Sequence, residues 1–176
     1  MQSLLKDKNV RSVQLEDVSK AQADGFTLID CRPAEEFAEY HVASSVNVPL
    51  FGPINIDSPA KLMKQLLFSF NGMKGTDERA TFCADVAAVA REKVLVLCDS
   101  GGTYKAVGLQ ADGRRSRSLV AVYKLLVAGE VEASSLYHVA GGVRGWGEKG
   151  FPLEGTDPSK WRSVAGKMPP PAAGDE

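Results

Sequence analysis

Cysteine and histidine are scarce in this 176-residue chain, which contains three cysteines and two histidines. An odd and sparse set of cysteines excludes the disulfide framework that is typical of small secreted domains. No two cysteines lie within four residues of each other, and His41 and His138 are far apart, so the sequence contains no zinc-binding spacing. The three thiols, at Cys31, Cys83 and Cys98, are therefore unpaired, and one of them is a candidate for reactivity.

Long apolar runs, a signal-peptide core and an excess of one charge are also absent. Without about 18 consecutive apolar residues no membrane span is expected, and residues 1–7 are too short and too acidic to be a transit peptide. The chain is therefore expected to be cytosolic, or to be a form whose leader has been removed. The 21 basic and 22 acidic side chains leave a net charge of -1, which gives no reason to expect a nucleic-acid partner.

The composition of the sequence changes towards its C-terminal end. Residues 156–176 include three consecutive prolines followed by Ala-Ala-Gly-Asp-Glu, which predicts a disordered, proline-rich tail. Residues 1–10 are interpreted as an N-terminal extension. The remaining segment, 11–155, is predicted to be one folded domain, because its length is ordinary for a domain. The chain has 44% apolar and 24% charged residues, which is typical of a globular protein.

Within this domain, short apolar runs alternate with helical patterns. Strands are predicted at residues 26–30, 46–48, 93–98 and 136–139, with a further short strand beginning at 12–13. Helices are predicted at residues 15–23, 33–39, 85–91 and 116–128. This alternation predicts an α/β fold with a central, mostly parallel sheet and helices on both faces. Ligands of such sheets bind beyond the carboxyl ends of the strands, which is where Cys98 is expected.

Cys98 ends the most apolar of these strands and is the candidate nucleophile. Asp-Ser-Gly-Gly follows it, and the segment 113–118, Gly-Arg-Arg-Ser-Arg-Ser, opens the amphipathic helix. A thiol that faces a helix N-terminus is expected to have a lowered pKa and to be a better nucleophile at neutral pH. Gly101 and Gly102 allow backbone amides to turn inward around an anion. The pattern therefore favours a reactive thiol over a buried cysteine that only fills space.

The segment 101–118 concentrates positive charge. Its basic residues are Lys105, Arg114, Arg115 and Arg117. Against a single acidic residue, Asp112, they give a local net charge of +3, for which an anionic substrate is the simplest use. The alternative is an ordinary solvated basic loop. Cys31 and Cys83 are interpreted as packing residues, and both histidines as structural.

Three separated motifs occur in the chain. The first motif is Asp-Cys-Arg-Pro-Ala-Glu-Glu-Phe at 30–37, followed by His-Val-Ala-Ser-Ser-Val-Asn-Val-Pro at 41–49. The second is the predicted strand that ends at Cys98, together with Arg117 and Ser118 at the start of the next helix. The third is Val-Ala-Gly-Gly-Val-Arg-Gly-Trp at 139–146. On these motifs the chain resembles the single-domain rhodanese-like proteins of the sulfurtransferase superfamily, over residues 11–155. The resemblance implies the rhodanese-like α/β fold.

The flanking motifs carry structural expectations of their own. Asp30 and Arg32 are expected to form an ion pair or to bind backbone amides near the strand edge. Gly141 and Gly142 permit a turn with positive φ between a strand and a helix. Trp146 is expected to be a packing residue rather than a platform for substrate.

The resemblance also implies an activity. Cys98 would attack the outer sulfur of thiosulfate or a related small anionic donor and carry it as a persulfide, and a thiol, including one on a protein, or cyanide would accept it. The residues implied in substrate binding are Ser100, Gly101, Gly102, Arg115, Arg117 and Ser118. No metal and no organic cofactor is implied. Similarity to plant and algal plastid members indicates a chloroplast location, with the cytoplasm as the alternative.

The spacing after Cys98 departs from the family pattern. Active rhodaneses usually have an arginine five residues after the cysteine, where this chain has Thr103, and the related dual-specificity phosphatases have it one residue later, at Tyr104. An insertion of roughly a dozen residues between Gly102 and Arg114 explains both differences. It leaves open a catalytically weak or inactive module that binds or regulates a partner. A phosphatase is the third hypothesis, against which Tyr104 argues.

Overall fold

The computed structural model describes residues 1–70, 75–105 and 114–162. Its strands, in chain order, are β1 (Arg11–Val13), β2 (Phe26–Asp30), β3 (His41–Val42), β4 (Val46–Asn47), β5 (Phe51–Pro53), β6 (Thr76–Glu78), β7 (Lys93–Leu97), β8 (Leu136–Val139) and β9 (Leu153–Glu154). Its α-helices are α1 (Gln2–Asp7), α2 (Leu15–Ala23), α3 (Ala34–Glu39), α4 (Pro59–Phe70), α5 (Phe82–Val89), α6 (Arg117–Ala128) and α7 (Gly142–Glu148). A short 3₁₀ helix, Ala133–Ser135, precedes β8.

A five-stranded parallel sheet forms the centre of the described residues. Its order is β1-β8-β7-β2-β4, and every neighbouring pair is parallel. β3 pairs with β9, and β5 with β6, in two small antiparallel sheets. The predicted α/β class and parallel sheet are confirmed. β2, β8 and α2 have the predicted bounds; α2 and β2 meet at Gly25, whose φ of +87° suits a sharp turn.

The two faces of the sheet bury separate cores. Val94 and Val96 of β7 pack with α5 and α6, whereas Leu95 and Leu97 pack with α2 and α7. Successive strand residues point to opposite faces, so helices cover both sides, as predicted. Trp146 of α7 is buried in the second core and donates its indole N–H to a backbone carbonyl at 2.8 Å, which confirms it as a packing residue.

The structure also contains elements that the sequence pattern does not predict. α1 lies within the predicted extension, and its Leu5 is fully buried in the core on the α6 side. β5, α4 and β6 lie in the long segment after Pro49, where α4 has no buried residue. α5 begins at Phe82 rather than at Asp85, because Phe82 and Val86, one turn apart, are its buried residues.

The first part of the predicted tail contacts the domain. The amides of Thr156 and Asp157 donate to carbonyls at the end of α3 at 3.0 and 2.8 Å, and Trp161 packs against the α2 and α7 core. Residues 163–176, which carry most of the predicted tail, lie outside the described residues. In the described part of the chain, no helix is long and apolar enough to cross a membrane.

Candidate active site

Cys98 lies immediately after β7, at the carboxyl edge of the parallel sheet. Its carbonyl accepts a hydrogen bond from the Val143 amide at 2.8 Å, and the Asp99 carbonyl accepts one from the Arg144 amide at 2.9 Å. Both amides belong to the first turn of α7, where amides have no partner within the helix. The motif at 139–146 therefore holds the backbone of the candidate nucleophile in place.

Two glycines allow this close approach of the backbones. Gly142 has a φ of +67°, and a Cβ there would lie 2.6 Å from the Cys98 carbonyl oxygen. A Cβ on Gly101 would lie 2.1 Å from the backbone nitrogen of Gly141, whose own φ is +84°. The predicted positive-φ turn is confirmed, and the same glycines bring the Cys98 loop against the start of α7.

The Cys98 thiol is fully buried. It donates a hydrogen bond to Oδ1 of Asp99 at 2.9 Å. Burial raises the pKa of Cys98 well above its ordinary value, and the Cys31 side chain and the Asp99 carboxylate raise it further, whereas Arg117 acts in the opposite direction. The expected lowering of this pKa is therefore wrong, because burial and the neighbouring groups outweigh the guanidinium.

Arg117, the first residue of α6, contacts two carboxylates, one of which accepts the hydrogen bond of the Cys98 thiol. Its Nη2 lies 3.0 Å from Oδ1 of Asp99 and 3.5 Å from Oε2 of Glu36. Burial lowers the pKa of Arg117, but Cys98 and the two carboxylates outweigh it and raise this pKa above its ordinary value. The side chain is 33% exposed. An anion that reaches this guanidinium from solvent competes with both carboxylates for it.

The two ends of the insertion after Gly102 are hydrogen-bonded to each other. The amide of Thr103 donates to the carbonyl of Arg114, and the amide of Arg114 donates to the carbonyl of Thr103, both at 2.8 Å. Because the two ends of the insertion meet, the chain returns to begin α6 beside the end of β7. The insertion therefore does not separate Arg117 from Cys98.

The residue at the phosphatase-type position, Tyr104, belongs to the core. Its ring is buried, and its hydroxyl donates a hydrogen bond to the carbonyl of Val10. The predicted positive charge of this loop is visible in part: Lys105 and Arg114 are exposed. Asp112 and the rest of the segment 106–113 lie outside the described residues.

The other predicted site residues have different surroundings. Ser100 and Gly102 are half-buried in the loop after Cys98, and Arg115 is exposed. Ser118 is fully buried; its hydroxyl lies 2.9 Å from the Ser116 hydroxyl and 3.1 Å from Nε2 of His138. The substrate-binding roles of these residues stay predictions.

The first motif forms a buried ion pair next to the site. Nε and Nη2 of Arg32 donate to the Asp30 carboxylate at 2.7–3.0 Å, and both side chains are fully buried. Arg32 also donates to the Tyr40 carbonyl at 2.6 Å. The Asn47 side chain donates to the carbonyls of Asp30 and Arg32 at 3.0 and 2.9 Å. The predicted pairing is confirmed, and these bonds hold the backbone on both sides of Cys31.

Three side chains at the site are not predicted by the sequence pattern: Cys31, Asp99 and Glu36. Cys31 follows β2 as Cys98 follows β7, and the same position after two apolar strands is the signal that indicates it. Asp99 is adjacent to the nucleophile in sequence. Glu36 belongs to the first motif, and only the folded chain brings it to Arg117.

His138 of β8 is buried and links two hydroxyl groups. Its Nδ1 lies 3.3 Å from Oγ of Ser12, and its Nε2 contacts Ser118. Burial lowers its pKa to about 4 from the ordinary value of 6.5. Between these values the unfolded chain binds a proton that the folded chain does not. Stability is therefore expected to fall by about 3 kcal/mol as the pH drops through this window.

Urea unfolding at a series of pH values across the window measures this loss. The matched control is His138→Gln, which retains a polar side chain without the titrating ring. We expect its free energy of unfolding to depend less steeply on pH, although it is lower at neutral pH. Equal pH dependence in the two proteins would show that other groups cause the loss.

The fold and the site together define a class of protein: an α/β domain in which a buried parallel strand delivers a cysteine to the sheet edge beside an arginine that begins the next helix. Residues 14–149 match the family described as Rhodanese-like domain. The chain belongs to this family.

Similar proteins agree with this assignment. The chain is 33% identical over 155 residues to Rhodanese-like domain-containing protein 14, chloroplastic, of Arabidopsis thaliana, covering 86% of this chain and 68% of that protein. It is 30% identical over 173 residues to Rhodanese-like domain-containing protein 10 of the same organism, covering 93% and 73%. The solution structure of the rhodanese-like domain of the Alr3790 protein from Anabaena sp. matches with a TM-score of 0.50 and 15% identity, covering 94% of this chain and 87% of that one. The last likeness supports the fold alone.

Proposed function

We propose that the protein is a sulfurtransferase that passes sulfane sulfur from thiosulfate or a related small anionic donor to a thiol or cyanide, through a persulfide on Cys98. One observation carries the proposal: the Cys98 thiol and the Arg117 guanidinium contact the same oxygen, Oδ1 of Asp99, at 2.9 and 3.0 Å, despite the insertion between them. Membership of the rhodanese-like family supports it.

The first half-reaction loads sulfur onto the cysteine. The Cys98 thiol already donates to Asp99, so its proton passes to that carboxylate and then to solvent as the thiolate forms. The thiolate attacks the outer sulfur of thiosulfate, the sulfur–sulfur bond of the donor breaks, and sulfite leaves with the bonding electrons. Arg117 stabilises the thiolate and the anionic donor through its charge.

The second half-reaction returns the enzyme to its starting state. An acceptor thiolate or cyanide attacks the outer sulfur of the persulfide, and the Cys98 thiolate leaves. The product is an acceptor persulfide or thiocyanate, and the kinetics are ping-pong because sulfite leaves before the acceptor binds. These steps use no metal and no organic cofactor.

We also propose a chloroplast location for this activity. Its support is the similarity to a relative that is named chloroplastic. Imaging of the full-length protein, fused at its C-terminus to a fluorescent reporter, tests this location. A signal that stays in the cytoplasm would contradict it.

Intact mass after incubation with thiosulfate tests the proposed function. In samples quenched at a series of short times, we expect one added sulfur atom on the chain, mapped to the peptide that contains Cys98 and released by cyanide as thiocyanate. Cys83→Ser, which removes a half-buried thiol of α5, is the matched control and retains the loading. Cys98→Ser abolishes it.

The same mass measurement can also contradict the proposed sulfurtransferase activity. A folded wild-type protein that gains no sulfur at any time point, or gains it equally in Cys98→Ser, would contradict the proposal. In the first case, co-purification of a partner protein would favour a binding or regulatory module.

A further inference from the structure

Cys31 and Cys98 occupy matching positions after two neighbouring strands. β2 and β7 pair in parallel, with Asp30 opposite Leu97, and the Cys31 amide continues the ladder by donating to the Leu97 carbonyl at 3.0 Å. Cys31 and Cys98 therefore occupy the next pair of matching positions after Asp30 and Leu97. Residues at matching positions of adjacent parallel strands point to the same face, and the strands lie about 4.8 Å apart.

The side chains agree with this placement. Cys31 and Cys98 are both fully buried in the core on the α6 side, and the Cys31 side chain is close enough to raise the pKa of the Cys98 thiol. The strand spacing falls within the Cα separation of about 4.4–6.8 Å that disulfides require. A bond between the two sulfurs therefore needs little movement of the backbone.

We propose that Cys31 is a resolving thiol that attacks the Cys98 persulfide, releases hydrogen sulfide and leaves a Cys31–Cys98 disulfide. The inference rests on the proposed function, because the persulfide is its starting point. A bond forms between the two Sγ atoms, and the bond from Cys98 Sγ to the outer sulfur breaks. The outer sulfur leaves with the bonding electrons and the Cys31 proton. It is reduced to sulfide while the Cys31 sulfur is oxidised, so no further oxidant is needed.

Burial determines which sulfur Cys31 reaches. Cys31 has no exposed surface and shares a core cluster with Cys98, so it approaches Cys98 from within the core. Asp99 and Arg117 flank the thiol on the side towards solvent, with exposed fractions of 18% and 33%. A donor arrives from that side, so the outer sulfur of the persulfide lies there. Attacking and leaving sulfurs are then on opposite sides of Cys98 Sγ, as displacement at sulfur requires.

This step identifies the class of the final acceptor. The disulfide returns to two thiols by exchange with a dithiol reductant, which is oxidised in turn. A dithiol suits a buried disulfide because its second thiol resolves the mixed disulfide without a second molecule having to enter. Cyanide takes the outer sulfur directly and bypasses Cys31.

The experiment loads wild type, Cys31→Ser and Cys83→Ser with thiosulfate in the absence of reductant. Each sample is followed by intact mass, by sulfide release and by mapping of tryptic peptides without reduction. Trypsin separates Cys31 from Cys98 because Lys61 and Lys64 lie between them in the chain. In wild type and Cys83→Ser we expect the added sulfur to be transient, followed by sulfide release and a cross-linked pair of peptides containing Cys31 and Cys98. In Cys31→Ser the sulfur should persist on Cys98 at least about tenfold longer, and sulfide should be released correspondingly more slowly in the absence of reductant.

The outcomes separate the two proposals. Sulfur that persists on Cys98 of wild type, with no link to Cys31, would overturn the resolving role and leave the sulfurtransferase proposal standing. No sulfur on Cys98 in any protein would overturn the proposed function, and this inference with it. If Cys31→Ser does not fold, the unreduced wild-type map decides by itself, because the cross-link is present or absent there.

Discussion

Arg117→Ala is expected to slow the loading of sulfur onto Cys98 by a factor of about 100 to 1000, the usual effect of removing a group that stabilises charge in a transition state. The variant loses a guanidinium that lowers the pKa of the thiol. It also leaves the carboxylates of Asp99 and Glu36 without their ion-pair partner, so that they repel an anionic donor. The loading rate is measured by quenching single-turnover reactions with thiosulfate and determining intact mass.

Two further arginine variants make this result specific. Arg79, whose exposed side chain pairs with Asp85 at 2.8 Å, is the control, and Arg79→Ala is expected to change the rate by less than about twofold. Arg115→Ala tests the other predicted donor-binding arginine, which is exposed; we expect a smaller loss than for Arg117→Ala. The reverse order would assign donor binding to Arg115 and contradict the role proposed for Arg117.

Asp30→Asn is expected to lower the free energy of unfolding by about 3–5 kcal/mol, because it leaves the buried Arg32 guanidinium without its counter-charge. The carboxylate accepts three hydrogen bonds from the Arg32 side chain. Nη1 of Arg32 already has no hydrogen-bond partner among the described residues. Unfolding in guanidinium chloride, followed by circular dichroism, measures the loss.

An exposed ion pair and a double variant complete this experiment. Asp57→Asn breaks the exposed pair with Lys61, where the N–O distance is 2.7 Å, and is expected to lower the free energy of unfolding far less, because solvent screens an exposed pair. Adding Arg32→Leu to Asp30→Asn should recover part of the loss, because it removes the uncompensated charge. A loss in Asp30→Asn as small as that in Asp57→Asn would mean that the buried pair does not stabilise the fold.

Much of the fold could be predicted from local pattern. The sequence predicts the bounds of β2, β8 and α2 correctly, because each buries a regular apolar pattern between turn residues. No helix is predicted at α4, although Leu62, Leu66 and Phe70 recur at helical spacing, and the structure buries none of them. α1 falls in the predicted extension because a six-residue helix has little pattern of its own, and its Leu5 gains its burial only from the assembled core.

The site could be predicted less completely than the fold. Cys98 was identified by its place at the end of an apolar strand, and the structure puts it at the predicted edge of the sheet. The predicted direction of its pKa shift is wrong, because the helix N-terminus and the arginine are visible in sequence whereas burial and the neighbouring Cys31 are not. The Thr103–Arg114 pairing that returns Arg117 to the thiol is likewise a long-range contact.

The sequence by itself determined the family motifs, the parallel α/β class and the candidate nucleophile, because strand pattern, glycine positions and motif order are local properties of the chain. Only the tertiary structure decided which other groups surround that nucleophile. Cys31 meets Cys98 because β2 pairs with β7 in one particular register, and a shift of one residue would turn their side chains to opposite faces of the sheet. The scarce, unpaired cysteines thus include two adjacent thiols, and their proximity depends on strand register rather than on spacing along the chain.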